Sequence, residues 1–142
     1  MKIITITKED KNKVSSRINL DFINLLSNYF NYEVIPVFNR KTKKVFVSPD
    51  KIKEKKPDIV ICHTHNNLLN GYLKNLNCLK VMVAVDLYKQ KDFSFYENNN
   101  FDLIVHRSYF DKEIPFKSVW IPYSVNEGLT AYENQTKPKE IG

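Results

Sequence analysis

At 142 residues the chain is the size of one ordinary domain, long enough to bury roughly two thirds of its unfolded surface around a single core without a metal or a disulfide. Its net charge of +6 is uneven: residues 1–56 hold 13 Lys or Arg against 6 acids, and residues 57–142 hold 9 against 10. No run approaches the ~20 apolar residues of a membrane span, and Met1 to Thr7 is too short for a signal peptide, so the expected setting is a cytoplasmic one, with a membrane reached only at its surface.

Lys2 to Thr7 is β-branched and alternating, and predicts a first strand over Ile3 to Thr7. A polar loop follows, and Ser15 or Ser16 then caps a helix whose apolar residues Ile18, Phe22, Ile23, Leu25, Leu26, Tyr29 and Phe30 recur at helical spacing. Tyr32 to Phe38 reads as a second strand in which Pro36 calls for an edge or a bulge. Arg40 to Lys56 carries eight bases against Asp50 and Glu54, and reads as a Lys-rich loop and a short helix Asp50 to Lys56 behind Ser48-Pro49. Such a cluster is either a solvated face or an attractor of phosphates, anionic headgroups or acidic polysaccharide. Aromatics do not alternate with its Arg and Lys, which argues against nucleic acid.

Asp58 to Cys62 is an unbroken apolar strand, the pattern expected when helices cover both faces of a parallel sheet, and Leu79 to Val85 reads as another buried strand, with a helix Leu68 to Leu76 between them. A short helix near Ser94 to Asn98, a strand Asp102 to Val105, a capped helix from Ser108 to Glu113 and a strand Ser118 to Pro122 complete the alternation. The fold class is α/β: a doubly wound, mostly parallel sheet in a three-layer sandwich, spanning residues 1–125. Residues 126–142 are polar, without period, and read as a linker toward a second domain absent from the chain.

In such a sheet, ligands bind beyond the carboxyl ends of the strands. The predicted ends hold Cys62-His63-Thr64-His65, Asp86 with Tyr88, and His106-Arg107, so every histidine of the chain falls at this edge. Only Gly71, Gly128 and Gly142 are present, which excludes a glycine-rich pyrophosphate turn and a P-loop. The thiols of Cys62 and Cys78 suit a reducing compartment. His63 and His65 with Asp86 could complete three metal ligands, but a His-x-His spacing in a loop is only weakly specific for a metal. Asp86 alone can accept a proton from a hydroxyl or fix a sugar hydroxyl, or serve as the turn residue of its crossover.

Lys56-Pro57-Asp58-Ile59-Val60-Ile61-Cys62-His63, then Val85-Asp86-Leu87, then Phe101-Asp102-Leu103-Ile104-Val105 with Ser108, then Ile121-Pro122-Tyr123-Ser124-Val125-Asn126, resemble in order and spacing the N-terminal half of GT-B-fold glycosyltransferases. The resemblance covers roughly residues 56 to 126. It implies a Rossmann-like acceptor domain, with a nucleotide-sugar donor held by a second domain of the same protein and a sugar or lipid-linked molecule as acceptor. Position by position, His63 or His65 matches the strand-end histidine and Asp86 the aspartate of a His-Asp pair, whose histidine is Val85 here. Asp86, His63 and His65 are thereby the implied catalytic residues, and Tyr88, His106, Arg107 and Tyr123 the implied acceptor-cleft residues. The competing readings are a non-catalytic α/β ligand- or partner-binding domain, and a metal-dependent hydrolase using His63, His65, Asp86 and His106.

Overall fold

A computed structural model of the chain describes residues 1–9, 27–84, 93–106 and 115–121. Among these, seven strands form one sheet in the order β3-β2-β1-β4-β5-β6-β7: β1 (Lys2–Lys8), β2 (Asn31–Asn39), β3 (Lys44–Val45), β4 (Ile59–Cys62), β5 (Leu79–Ala84), β6 (Leu103–His106) and β7 (Ser118–Trp120). All neighbours are parallel except the β2–β3 pair. The expected doubly wound α/β sheet is therefore present. The segment read as the first helix, the helix from Ser108 and the linker 126–142 fall mainly or wholly outside the described residues.

Strand alternation sorts the apolar residues onto two faces. Ile4 and Ile6 of β1, Val60 and Cys62 of β4, Met82 and Ala84 of β5 and Ile104 of β6 join one core, which is completed by Val37, Phe38 and Ile52 and by Leu69, Leu73, Phe95 and Tyr96. Ile3, Ile61 and Val83 occupy the opposite face with Tyr32, Ile59, Val81 and Val105 around them. Thr5, buried at the centre of this second face, shares a hydrogen bond with the Tyr32 hydroxyl. A polar side chain in an interior strand is thereby satisfied without interrupting the apolar layer.

One device starts two strands. Asp58 accepts the Lys2 amide on Oδ2 at 2.7 Å while its own amide donates to the Lys2 carbonyl at 2.9 Å. Asp102 repeats the arrangement on Lys80, at 2.8 Å in both directions. Each aspartate fixes the register of its strand against the neighbour, at the amino edge and away from the carboxyl-edge site.

Pro36 meets the expectation of an irregularity: β1 pairs Thr7 with Pro36 but Lys8 with Phe38, a register shift at the residue that cannot donate a ladder bond. The short basic helix is α1 (Pro49–Glu54), with Ser48 at its N-cap position and Pro49 in its first turn. It is anchored by Ile52, the one buried residue of the helix.

The crossover from β4 to β5 corrects the helix expected over Leu68 to Leu76. It is a single 3₁₀ turn, Asn67–Leu69, followed by consecutive turns. Its bonds span three residues, from Tyr72 to Leu69, Lys74 to Gly71 and Leu76 to Leu73. Gly71 sits at φ +75°, where the right-handed helix cannot pass. Asn66 accepts the Leu68 amide, and Asn99 accepts the Leu73 amide from across the core, so side chains take the place of helical carbonyls. The following helix is α2 (Ser94–Asn99), closed by Asn100 in the left-handed region.

Candidate functional site

The strand order fixes where a site can form. From β1 the chain turns toward β2 and the β3 edge, whereas from β4 it proceeds through β5 and β6 toward β7, so the crossovers diverge at the carboxyl ends of β1 and β4. Ile6 pairs with Cys62. Thr7 and Lys8 on one strand and His63 on the other therefore flank the switch point.

The three histidines have different surroundings. His63 is half-buried, with its Nε2 atom fully enclosed. His65 is exposed, but its ring packs on the face that carries α2, with its centroid 4.4 Å from Phe95 and 5.7 Å from Tyr96, stacked on the latter at an interplanar angle of 28°. The two imidazoles thus have different settings, one enclosed at its Nε2 atom and one open against the α2 aromatics. His106 ends β6, two strands from β4 and so about 10 Å along the sheet, and is only 6% exposed. It shares the face of Ile104, two residues earlier, and its carbonyl accepts the Ile121 amide at 3.0 Å. Asp86, Tyr88, Arg107 and Tyr123 lie outside the described residues. Among the described residues no group of three His, Cys, Asp or Glu is disposed to hold a metal ion.

Beneath the β4 terminus lies a cluster that sequence reasoning passed over. Cys62 is fully buried and donates its thiol to the Thr64 carbonyl at 3.2 Å, bending the chain so that His65 turns onto α2. Burial pushes the Cys62 thiol up to about 12, the Thr64 bond opposing it. The buried Tyr96 hydroxyl, which has no hydrogen-bond partner among the described residues, is pushed up to about 12 by burial first and by Cys62 second. Both groups are protonated at neutral pH, so Cys62 is neither a nucleophile nor a thiolate ligand. Both cysteines are free. Aromatic residues at helical spacing beside a strand-end histidine were the available signal: Phe93 and Tyr96 are three apart.

No protein-family model, curated protein or solved structure matches the chain. The arrangement at the switch point offers one half-buried imidazole, one open imidazole on an aromatic shelf, and the Lys8 side chain at the end of β1. Such a set can orient a hydroxyl-bearing or anionic ligand and move a proton.

Proposed function

We propose that this chain is the acceptor-binding half of a nucleotide-sugar-dependent glycosyltransferase, which in the full protein transfers a hexosyl group to an acceptor hydroxyl. The observation that carries the reading is the position of His63 beside the topological switch point, at the end of the strand that bears the Lys-Pro-Asp-Ile-Val-Ile-Cys-His run. A second support is the exit from the sheet: Val119, Trp120 and Ile121 are all exposed, an apolar strip next to His106 suited to contact with a following domain. In this reading His63, His65 and Asp86 act on the acceptor hydroxyl, as general base in an inverting reaction or as positioning groups in a retaining one. Tyr88, His106, Arg107 and Tyr123 belong to the acceptor side of the cleft, and the donor nucleotide is bound by the second domain. The burial of His106 favours structural support over substrate contact for that residue, and a domain that only binds a ligand is the competing reading.

The native length of the polypeptide separates the two. Intact mass measurement of the protein from its source cells is expected to show a continuation of comparable size beyond Gly142. A native protein ending there would overturn the half-enzyme reading and leave a binding domain.

A further inference from the structure

The basic residues of the β3 edge form a built surface. Asn39, the last residue of β2, accepts the amides of Lys41 and Thr42 on Oδ1 at 2.9 and 3.1 Å, and Lys43 takes a left-handed φ of +54°, which tightens the turn into β3. The tip presents Arg40, Lys41, Lys43 and Lys44, all exposed, with no acid among them. Lys2 and Lys55 share the carboxylate of Glu33 at 4.0 and 3.0 Å, whereas among the described residues none of these four bases is in an ion pair. Immediately beyond them, Val45 and Phe46 are 38% and 52% exposed.

Lysines alone on an edge strand would fit protection against edge-to-edge aggregation. Two open apolar side chains on the same edge work against that purpose. Paired with the bases they match the interface of an anionic bilayer, where cationic side chains meet headgroup charge while Phe and Val enter the boundary with the acyl chains. One phenyl ring with no series of aromatic platforms fits this surface better than a nucleic acid strand. We propose that the β2–β3 hairpin docks the protein on anionic phospholipid membranes, with Arg40, Lys41, Lys43 and Lys44 at the headgroups and Phe46 inserted. Because β2 runs parallel to β1 and β4, the hairpin lies at the same edge of the sheet as His63 and His65, and docking turns that edge toward the membrane. The proposal stands independently of the transferase reading, since vesicle binding needs no donor and no turnover.

Sedimentation of the full chain with phosphatidylcholine vesicles, with and without phosphatidylserine, tests it. Binding is expected only with phosphatidylserine and is expected to weaken as salt rises. At about fivefold per base, the quadruple variant Arg40→Glu, Lys41→Glu, Lys43→Glu, Lys44→Glu loses on the order of a hundredfold or more in affinity. Phe46→Ser, which leaves the charge unchanged, weakens binding about tenfold, and Lys74→Glu with Lys117→Glu has a much smaller effect. Circular dichroism of each variant confirms that it is folded. Absence of binding, binding indifferent to phosphatidylserine, or equal losses from the Lys74 and Lys117 reversals overturns the proposal. Tight binding to a single-stranded oligonucleotide that ignores Phe46→Ser does so as well.

Discussion

Asn99→Ala is expected to destabilise the fold by about 3 kcal/mol, the cost of leaving buried backbone groups without their partners. Asn99 has no exposed surface. Its Oδ1 accepts the Leu73 amide at 2.9 Å and its Nδ2 donates to the Phe95 carbonyl at 2.9 Å. It thus links the β4–β5 crossover to α2 within the core, whereas the Asn98–Asn70 bond between the same segments is at the surface. A crossover made of three-residue turns cannot supply the missing acceptor itself, so alanine leaves the Leu73 N–H facing apolar neighbours. Asn99→Asp separates the two halves of the interaction: it keeps the acceptor, loses the donor and places a charge at a fully buried position, and is expected to cost at least as much. Urea unfolding of the two variants and the parent measures both losses. A change below about 0.5 kcal/mol for alanine would show that the crossover does not depend on this bond.

Stability is expected to fall steeply in alkali. Cys62 and Tyr96 are both neutral when protonated, and both are held in the folded protein near 12, above their ordinary values of 9.0 and 10.0. Their protonated forms are therefore favoured by folding, a contribution fully present below pH 9 and lost as pH climbs toward the folded values. At pH 11 the unfolded chain has released both protons while the folded chain holds them, which removes about 4 kcal/mol in total at 1.36 kcal/mol per unit. Tyr72, whose hydroxyl donates to the Val47 carbonyl at 2.6 Å, and Tyr32 are shifted upward in the same direction by burial. Urea unfolding at pH 8 and pH 11 should show this loss. In Tyr96→Phe the loss should shrink by about 1 kcal/mol, with little cost at pH 8, because the hydroxyl removed makes no hydrogen bond among the described residues. Equal stability at the two pH values would mean that neither group is as enclosed as its position under β4 implies.

The strands were legible because their residues obey one rule over several positions: β-branched side chains alternate in β1, an unbroken apolar run marks β4, and a largely apolar one marks β5. Pro36 announced its bulge through a missing donor. By contrast β3 consists of Lys44 and Val45 alone, held by pairing with Phe38 and Asn39, and two residues carry no period. The helix expected over Leu68 to Leu76 had helical apolar spacing, yet Gly71 and hydrogen bonds from Asn66 and Asn99 made a chain of turns instead. A bond from Asn99, 26 residues downstream of Leu73, cannot be seen in a local pattern. Lys80 is buried inside β5, its amine reaching the Leu76 carbonyl at 3.3 Å, and reads in sequence as any lysine of a strand.

At the site, the strand ends correctly located His63 and His65 at the carboxyl edge, since that edge follows from chain direction alone. Their different surroundings did not follow from it. The burial of His106 was partly legible, because alternation puts it on the face of Ile104, a core residue. The shelf of Phe95 and Tyr96 under His65 depends on α2 packing over β4, a tertiary contact. Asp58 and Asp102, which contributed to the resemblance with glycosyltransferases, serve here as strand clamps. The chemical weight of the resemblance accordingly falls on His63, His65 and Asp86.

The most direct measurement is release of nucleoside diphosphate from a panel of nucleotide sugars by the native-length polypeptide, supplied with lipid and glycan extracts as acceptors. Turnover is expected from the native-length protein and none from residues 1–142 alone, with a loss of about a hundredfold or more in His63→Ala or Asp86→Asn at unchanged stability. Turnover by residues 1–142 in isolation, or a folded native-length protein inactive toward every donor, would contradict the half-enzyme reading.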